Sequence, residues 1–301
     1  MIPTADGDRL PLDRLLFASP VLEIGKFRVR PGHPQFHDSG PIQRHIVVFP
    51  RSVVQITHEG GEPFVAGPDV VTYYNRGQVY RRDSIHEQPD RCEWFAFAPS
   101  LLTAAMSEID PSAADRTLAP FRCPAGPSDP RSYLEQRRLV DALSHGEHPD
   151  TLRVEETMVA VLRRLLTAAW GAPFRRDPRS RRSDRDLADA ARAELARSFR
   201  RPAGLADVAA SLGVSVFRLC RVFRRETGST LHAVRDRLRL ASSLERLRQP
   251  GRDLTDVALD LGYSSHSHFT AAFRREFGVT PSRFRRGSAE NAPVFSHFLR
   301  T

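Results

Sequence analysis

Arginine pairs recur in the second half of this 301-residue sequence, at a spacing that could bind a polyanion. The segment Phe223-Arg-Arg-Glu-Thr-Gly228 returns 50 residues later as Phe273-Arg-Arg-Glu-Phe-Gly278. A guanidinium group presents a planar fork of N–H donors that fits phosphate oxygens and the edge of guanine. The repeat therefore predicts two equivalent basic surfaces.

The net charge is concentrated in the same half. Residues 175–301 carry 26 Lys and Arg against 14 Asp and Glu, a net charge of +12, whereas residues 1–174 carry a net charge of −3. A basic segment joined to a near-neutral one indicates that the basic part meets a polyanion. Lys26 is the only lysine, a bias that genome base composition explains without any function.

Composition limits the class of protein. The chain is 40% hydrophobic and 27% charged, as in globular proteins, and its length suggests about two domains. No apolar run approaches the ~18 residues that span a bilayer, and the first residues do not form a secretory signal. Cys92, Cys123 and Cys220 lack Cys-x-x-Cys spacing. We therefore expect a cytoplasmic protein without a disulfide framework, a zinc module or a membrane segment.

Each repeat predicts a helix, a tight turn and a second helix. In the first repeat, an apolar helical stripe ends at Gly213, and Ser215 is a preferred N-cap residue. The second repeat has the same signals at Asp253 or Thr255, Gly262, and Ser264 or Ser265. This pattern is typical of a helix-turn-helix, whose second helix presents side chains to the DNA major groove.

A further helix is predicted between the two repeats, over residues 231–248, with Pro250-Gly251 ending it. Eighteen residues extend ~27 Å at 1.5 Å per residue. A connector of that length would place the two second helices about one DNA turn (~34 Å) apart.

Residues 205–286 resemble the DNA-binding domain of the AraC/XylS family of bacterial transcription regulators. The matching segments are Leu205-Ala-Asp-Val-Ala, Gly213-Val-Ser, Phe223-Arg-Arg-Glu-Thr-Gly, Asp256-Val-Ala-Leu-Asp-Leu-Gly-Tyr263, Ser267-His-Phe269 and Phe273-Arg-Arg-Glu-Phe-Gly-Val-Thr-Pro-Ser-Arg-Phe284. The resemblance implies helix-turn-helix units at about 205–226 and 254–277, and a sequence-specific regulator of transcription.

The resemblance also implies which outward positions read bases. We expect Arg221 to bind guanine O6 and N7, a contact worth ~1–3 kcal/mol of discrimination. Phe217 either contacts a thymine methyl group or is a partly exposed core residue, and Cys220 makes a mildly apolar contact rather than acting as a thiol sensor. The base-reading candidates are Phe217, Arg218, Cys220, Arg221, His266, Ser267, His268 and Thr270. Ala271 stands where many relatives carry Arg, which predicts weaker discrimination by the second unit.

Other polar residues of the two units are candidates for phosphate contacts, which position a protein without reading sequence. They are Ser215, Arg224, Arg225, Ser265, Arg274 and Arg275. For each arginine, plain solvation is the alternative. We expect no metal at His266 and His268, because side chains two positions apart on a helix diverge.

The first half predicts strands followed by helices. Short segments rich in β-branched and aromatic residues lie at 21–30, 45–54, 70–74 and 92–98, separated by turns, as in a β-sandwich or barrel. Helices are predicted over 133–144 and 152–170. The apolar stripe of the second packs either on the β domain or on a second copy of the chain.

The fold class that follows is a two-domain α+β protein. A cupin-like β-barrel domain for effector binding or dimerisation, with its following helices, is expected at 1–170, by resemblance of architecture to the family. A basic linker at 171–185 acts as a hinge or as a flexible basic arm. An all-α domain of two helix-turn-helix units joined by a long helix occupies 186–287, and a tail occupies 288–301.

A pocket for a small-molecule effector is expected in the first half. Its candidate residues are Tyr73, Tyr74, Asn75, Tyr80, His86 and Trp94, for each of which a place in the barrel core is the alternative. Five histidines, at positions 33, 37, 45, 58 and 86, have no His-x-His spacing, and neither a catalytic triad nor a Gly-rich phosphate loop is recognisable. An enzyme with a metal or cofactor is therefore disfavoured.

The expected partners are double-stranded promoter or operator DNA, a small-molecule effector, a second copy through residues 152–170, and RNA polymerase if the protein is an activator. The alternatives are a metal-dependent cupin enzyme fused to a DNA-targeting domain, a non-specific DNA-coating protein, and a protein–protein adaptor.

Overall fold

The computed structural model describes residues 12–147, 149–170, 182–201, 204–249 and 251–287. The chain divides into two compact units, Met1–Arg175 and Arg176–Thr301. The first unit carries antiparallel sheets with helices after them, and the second is helical in its described part. The predicted α+β class is confirmed. The predicted tail at 288–301, and residues 171–181 of the predicted linker, lie outside the described residues.

Two antiparallel sheets form the frame of the first unit. Their strands are β1 (Asp13–Ala18), β2 (Leu22–Val29), β3 (Asp38–Ser39), β4 (Ile46–Pro50), β5 (Val54–His58), β6 (Phe64–Ala66), β7 (Val70–Tyr74), β8 (Tyr80–Ser84), β9 (Asp90–Phe97) and β10 (Ala125–Pro127). One sheet has the order β1–β2–β9–β4–β7–β10, and the other has the order β3–β8–β5–β6.

The predicted strand at 45–54 is two strands in the structure. β4 ends at Pro50 in the six-stranded sheet, and the chain resumes at Val54 as β5 of the four-stranded sheet. Proline has no N–H to donate to a ladder, so a strand interior does not accept it. The sequence predicted an edge or bulge at Pro50, whereas the structure places the crossing between the two sheets directly after it.

Three α-helices of the first unit follow the strands, namely α1 (Pro99–Ser107), α2 (Pro130–Ser144) and α3 (Thr151–Trp170). The stripe of α3 that contains Met158, Leu162 and Leu165 is buried, and α3 packs on α1, α2 and β10. The stripe is therefore covered within one chain, which removes the observation behind the predicted homodimer through residues 152–170.

The second unit contains seven described helices. They are α4 (Arg182–Ser198), α5 (Leu205–Ser211), α6 (Val216–Thr227), α7 (Leu231–Arg246), α8 (Leu254–Asp260), α9 (His266–Phe277) and α10 (Pro281–Gly287). Residues 182–185, assigned to the linker by composition, form the first turn of α4, because an apolar helical stripe begins at Leu187 and Asp184 favours a helix N-terminus. The connector α7 ends at Arg246, two residues before the predicted end.

Local signals fix both helix-turn-helix units. Gly213 and Gly262 adopt the left-handed conformation, at φ of 64° and 81°, which glycine adopts at little cost. Ser215 and Ser265 cap α6 and α9 by accepting the N–H of the residue three positions on. Asp253, one of two predicted candidates, caps α8. The two second helices are thus held in equivalent positions of the repeat.

The helices described here include none long and apolar enough to cross a membrane.

Candidate nucleic-acid interface and ligand cavity

The second helix of the first helix-turn-helix, α6, has one buried and one exposed face. Leu219, Val222 and Phe223 are almost completely buried. On the other side, the Phe217 side chain is 75% exposed and Arg221 is exposed. Because the apolar stripe fixes the rotation of the helix, the exposed face is presented as a rigid surface.

The exposed side chains of Phe217 and Arg221 stack on each other. The guanidinium carbon of Arg221 lies 5.6 Å from the ring centroid of Phe217, one turn earlier on α6. Such cation–π contacts between exposed residues are worth about 0.5–1 kcal/mol. The phenyl ring therefore restrains the arginine that the sequence predicted to read a base. Arg224 is exposed and Cys220 is half-buried on the same helix.

Arg218 and Arg225 are paired with an acidic residue that the sequence analysis did not consider. Asp184, in the first turn of α4, has its Oδ1 3.7 Å from Arg218 Nη2 and its Oδ2 2.6 Å from Arg225 Nη2. Arg225 also contacts Glu226 at 2.9 Å. The two arginines predicted to contact a base and a phosphate are therefore bound to carboxylates in this structure.

The second helix of the second helix-turn-helix, α9, presents smaller and more polar side chains. Ser267 and Ala271 are exposed. His266 Nε2 lies 3.4 Å from the Thr270 hydroxyl, and His268 Nδ1 lies 3.2 Å from the Ser264 hydroxyl. These hydrogen bonds run along the same helix or to its turn. The two imidazoles are thus oriented separately, and they do not form a common pair of metal ligands.

The end of α9 repeats the arrangement seen in α6. Arg274 is exposed, and Arg275 Nη2 lies 3.6 Å from Asp236 Oδ2 on α7. A shallow groove beside these arginines is lined by His266, Ser267, Thr270, Ala271, Arg274, Arg275 and Thr280. The small Ala271 side chain leaves this groove open at the position equivalent to Arg221.

The backbone at Gly262, in the turn of the second helix-turn-helix, lies close to the backbone of Arg200. A Cβ atom at Gly262 would lie 2.6 Å from the Arg200 carbonyl oxygen and 2.8 Å from Arg239 Nη2. Arg239 donates to the Phe199 carbonyl oxygen at 2.6 Å and stacks over Tyr263 at 5.5 Å. Burial raises the pKa of Tyr263 and lowers that of Arg239. Gly262 is therefore required both for its φ angle and for its lack of a side chain.

The first unit contains a cavity of about 610 Å³, lined from both of its sheets. Much of its wall is apolar, including Phe27, Ile46, Val48 and Ile56. Three of the predicted pocket residues line it, namely Tyr74, Tyr80 and Trp94. A volume of this size and an apolar wall with a few polar groups are typical of small-molecule sites.

The cavity lining includes a buried ion pair that the sequence did not predict, together with the acidic Asp13, Glu23 and Asp38 and the basic Arg44. Arg82 Nε lies 3.0 Å from Asp90 Oδ2, and Arg82 Nη2 donates to the Tyr80 hydroxyl at 2.7 Å. Its guanidinium carbon also lies 4.8 Å from the Phe27 ring centroid. Burial raises the pKa of the Cys92 thiol nearby, which keeps the thiol protonated. Asp90 compensates Arg82, and Glu23 compensates Arg44, so the lining disfavours an anionic ligand.

Three other predicted pocket residues do not line this cavity. Tyr73 points to the opposite side of β7 from Tyr74, since side chains alternate along a strand, and it stacks on Phe121 and Trp170. Asn75 exchanges hydrogen bonds with the backbone of Phe121, at 2.9 and 3.1 Å. His86 lies in the bend after β8. Tyr73 thus contacts Phe121 and Trp170, and Asn75 contacts Phe121, rather than lining the cavity.

Within the described ranges, no three His, Cys, Asp or Glu residues come together as a metal site would require.

Comparison with known proteins gives the family. Residues 208–287 match the family model described as a helix-turn-helix domain. The regulatory protein SoxS of Salmonella typhimurium is 42% identical over 85 residues, which are 28% of this chain and 78% of SoxS. The transcriptional regulator Rob of the same organism is 37% identical over 91 residues, which are 30% of this chain and 32% of Rob. The chain thus spans about a third of Rob.

A solved structure, ToxT from Vibrio cholerae, aligns with 89% of this chain and 98% of its own, at 10% identity and a TM-score of 0.35.

A match that covers most of SoxS at this identity defines the class: the chain belongs to the AraC/XylS family of bacterial transcription regulators. The resemblance that the sequence motifs indicated is confirmed.

Proposed function

We propose that this protein is a sequence-specific DNA-binding regulator of transcription that responds to a small molecule. The observation that supports this most strongly is the pair of matched helices α6 and α9. Each is capped by a serine, is buried on one face, and exposes its N-terminal half, and both lie in residues 175–301, which carry a net charge of +12. This is the arrangement with which tandem helix-turn-helix units enter successive major grooves.

The proposed division of labour follows the exposed faces. Arg221, braced by Phe217, reads a base, most naturally guanine. On α9, Ser267, His268 and their neighbours make weaker base contacts, since Ala271 stands at the position equivalent to Arg221. Arg224, Arg274 and the backbone at the serine caps bind phosphates. Discrimination between sequences is therefore expected mainly from the first helix-turn-helix.

The cavity of the first unit is the proposed effector site. Its apolar wall and its internally compensated Arg82–Asp90 pair fit an uncharged, largely apolar molecule. The effector would bind one arrangement of the protein better than another and so shift the population that engages DNA. In this account the protein is a cytoplasmic regulator rather than an enzyme, and it contacts RNA polymerase if it activates.

A genome-fragment binding selection with the purified full-length chain tests this function. We expect one enriched motif with two blocks about one helical turn (~10 base pairs) apart. Uniform recovery of all fragments would instead identify a non-specific DNA-coating protein. Failure to bind any duplex in low salt, with or without cell extract as an effector source, would favour a protein–protein adaptor.

A further inference from the structure

The carboxylate of Asp184 contacts two guanidinium groups of α6. We call α6 and α9, the helices proposed to read DNA, the first and second reading helices. The Asp184 carboxylate oxygens are 3.7 Å from Arg218 Nη2 and 2.6 Å from Arg225 Nη2. The Asp184 side chain is only 15% exposed, whereas those of Arg218 and Arg225 are 49% and 41% exposed. The acid is thus shielded by the arginines, while the arginines remain accessible to a ligand from outside.

Arg218 and Arg225 flank Arg221, the proposed base-reading side chain, on α6. Residues 218 and 225 are seven positions apart, which is about two turns, so they lie on the same side of the helix. Arg221 lies between them on that side, three positions from Arg218 and four from Arg225, but its guanidinium group stacks on Phe217. Asp184 therefore binds the two arginines on either side of Arg221, whereas the Arg221 guanidinium group contacts Phe217.

The second helix-turn-helix repeats this arrangement with different residues. Asp236, on the helix α7 that precedes α8 and α9, lies 3.6 Å from Arg275, the repeat partner of Arg225. The Asp236 side chain is 12% exposed. His268 stands at the position equivalent to Arg218, so Asp236 faces one arginine of the reading helix. In both helix-turn-helix units, an acidic residue on the helix that precedes the unit, α4 or α7, binds the equivalent arginine, Arg225 or Arg275.

An arginine bound to a carboxylate contributes less to DNA affinity than a free one. A phosphate must compete with the acid for the guanidinium group, and an already neutralised arginine displaces fewer counterions from the duplex. The phosphate contribution is independent of sequence, so this competition weakens binding to every duplex. The guanidinium group of Arg221 stacks on Phe217 instead, so its proposed base contact meets less of this competition.

We propose that Asp184 and Asp236 are specificity-determining counter-charges, which hold flanking arginines of the two reading helices back from DNA phosphates and so suppress non-specific binding. This inference rests on the proposed DNA-binding function. It assigns a role to residues that contact no base, and it predicts that removing the acid makes the protein bind DNA more tightly.

The test compares Asp184→Asn with Asp186→Asn in the full-length protein. Asp186 is exposed on the same helix, so it controls for the loss of one negative charge. A fluorescent 30-base-pair random-sequence duplex is the probe, titrated at several salt concentrations. We expect Asp184→Asn to tighten binding about 3–10-fold at low salt, and to steepen the salt slope by about 1–2, as one or two more phosphate contacts would. Asp186→Asn should change the affinity less than about 2-fold.

A double substitution makes the test independent of any general effect of Asp184→Asn on folding. In a background with both Arg218→Gln and Arg225→Gln, the gain from Asp184→Asn should disappear. Asp236→Asn should produce a smaller gain, with a slope change of about 1, because it releases one arginine. Thermal unfolding of each variant shows that the folded protein is being compared.

Several outcomes would overturn the inference. They are equal effects of Asp184→Asn and Asp186→Asn, weaker binding by Asp184→Asn, and a gain that persists without both arginines. In each of these cases wild-type DNA binding, and with it the proposed function, stands. If neither the wild type nor any variant shows salt-sensitive binding, the proposed function and this inference both fail.

Discussion

Arg221 and Phe217 form a stacked pair on the exposed face of α6, with 5.6 Å between the guanidinium carbon and the ring centroid. An aromatic side chain that is 75% exposed adds little to the core. Its ring limits the orientations of the arginine that we propose binds a base. Such preorganisation lowers the conformational entropy lost when the arginine binds a base.

Phe217→Ala should therefore reduce sequence discrimination without unfolding the protein. We expect the ratio of affinities for the selected site and for a site altered at the guanine to fall about 3–10-fold, as the loss of about 1 kcal/mol implies. The melting temperature should stay unchanged, because the ring is exposed. Titrations of the two duplexes measure the ratio. A marked loss of stability would instead identify Phe217 as a core residue.

Gly262→Ala should destabilise the second helix-turn-helix more than Gly213→Ala destabilises the first. Both glycines have positive φ, which costs an alanine about 1 kcal/mol or more. Only at Gly262 does the new Cβ also meet the Arg200 carbonyl oxygen, at 2.6 Å, whereas at Gly213 it meets nothing within 4 Å. We expect a difference of about 1–3 kcal/mol in the free energy of unfolding. Equal losses in urea denaturation would contradict the close approach.

Acid should weaken the first unit through His58. Burial beside Tyr74 and Phe64 lowers the pKa of His58 from 6.5 to about 4. The unfolded chain therefore takes up a proton that the folded chain rejects, and the free energy of unfolding falls as the pH drops from 6.5 to about 4. His45, whose pKa burial also lowers, acts in the same direction.

His58→Gln removes one of these titrations, so its loss of stability between pH 6.5 and 4 should be smaller than that of the wild type. His37→Gln, at an exposed histidine, is the matched control. Parallel stability curves for the wild type and His58→Gln would show that His58 is not buried as a neutral group.

The cavity should bind an uncharged apolar probe, and Trp94 should report it. We expect 4-phenylphenol to change the Trp94 fluorescence in a Trp170→Phe protein and to raise its melting temperature. A mass-action stabilisation of about 2.7 kcal/mol is expected when the probe is at 100 times its Kd. Trp94→Phe, which retains only Trp170 outside the cavity lining, should show no fluorescence change. Tighter binding of 4-phenylbenzoate than of the phenol would contradict the assignment of an uncharged ligand.

The helix-turn-helix units were predictable because their signals are local. A glycine, a serine cap and an apolar period lie within a few residues of one another at Gly213 and Ser215, and again in the second repeat. The pairing of Asp184 with Arg225 joins residues 41 apart, so no local pattern reveals it. Arg82 and Asp90 are near in sequence, but they lie on β8 and β9, which belong to different sheets, so their contact depends on how the two sheets pack.

Strand register explains the errors in the predicted pocket. Tyr73 and Tyr74 are neighbours in sequence and equally aromatic, yet only Tyr74 lines the cavity, because adjacent side chains point to opposite faces. Composition alone cannot tell which face is inside. Likewise, the stripe of α3 had two candidate partners, and only the tertiary structure shows that the first unit itself covers it.

The most direct test of the account is a hydroxyl-radical footprint on the selected fragment with wild-type protein and with Arg221→Ala. We predict two protected blocks on one face of the duplex, about 10 base pairs apart, because two helix-turn-helix units enter successive major grooves. Arg221→Ala should weaken protection in one block only and relax the base preference there. A single continuous footprint that is the same on every sequence, and that weakens uniformly in Arg221→Ala, would contradict the claim that these helices read DNA.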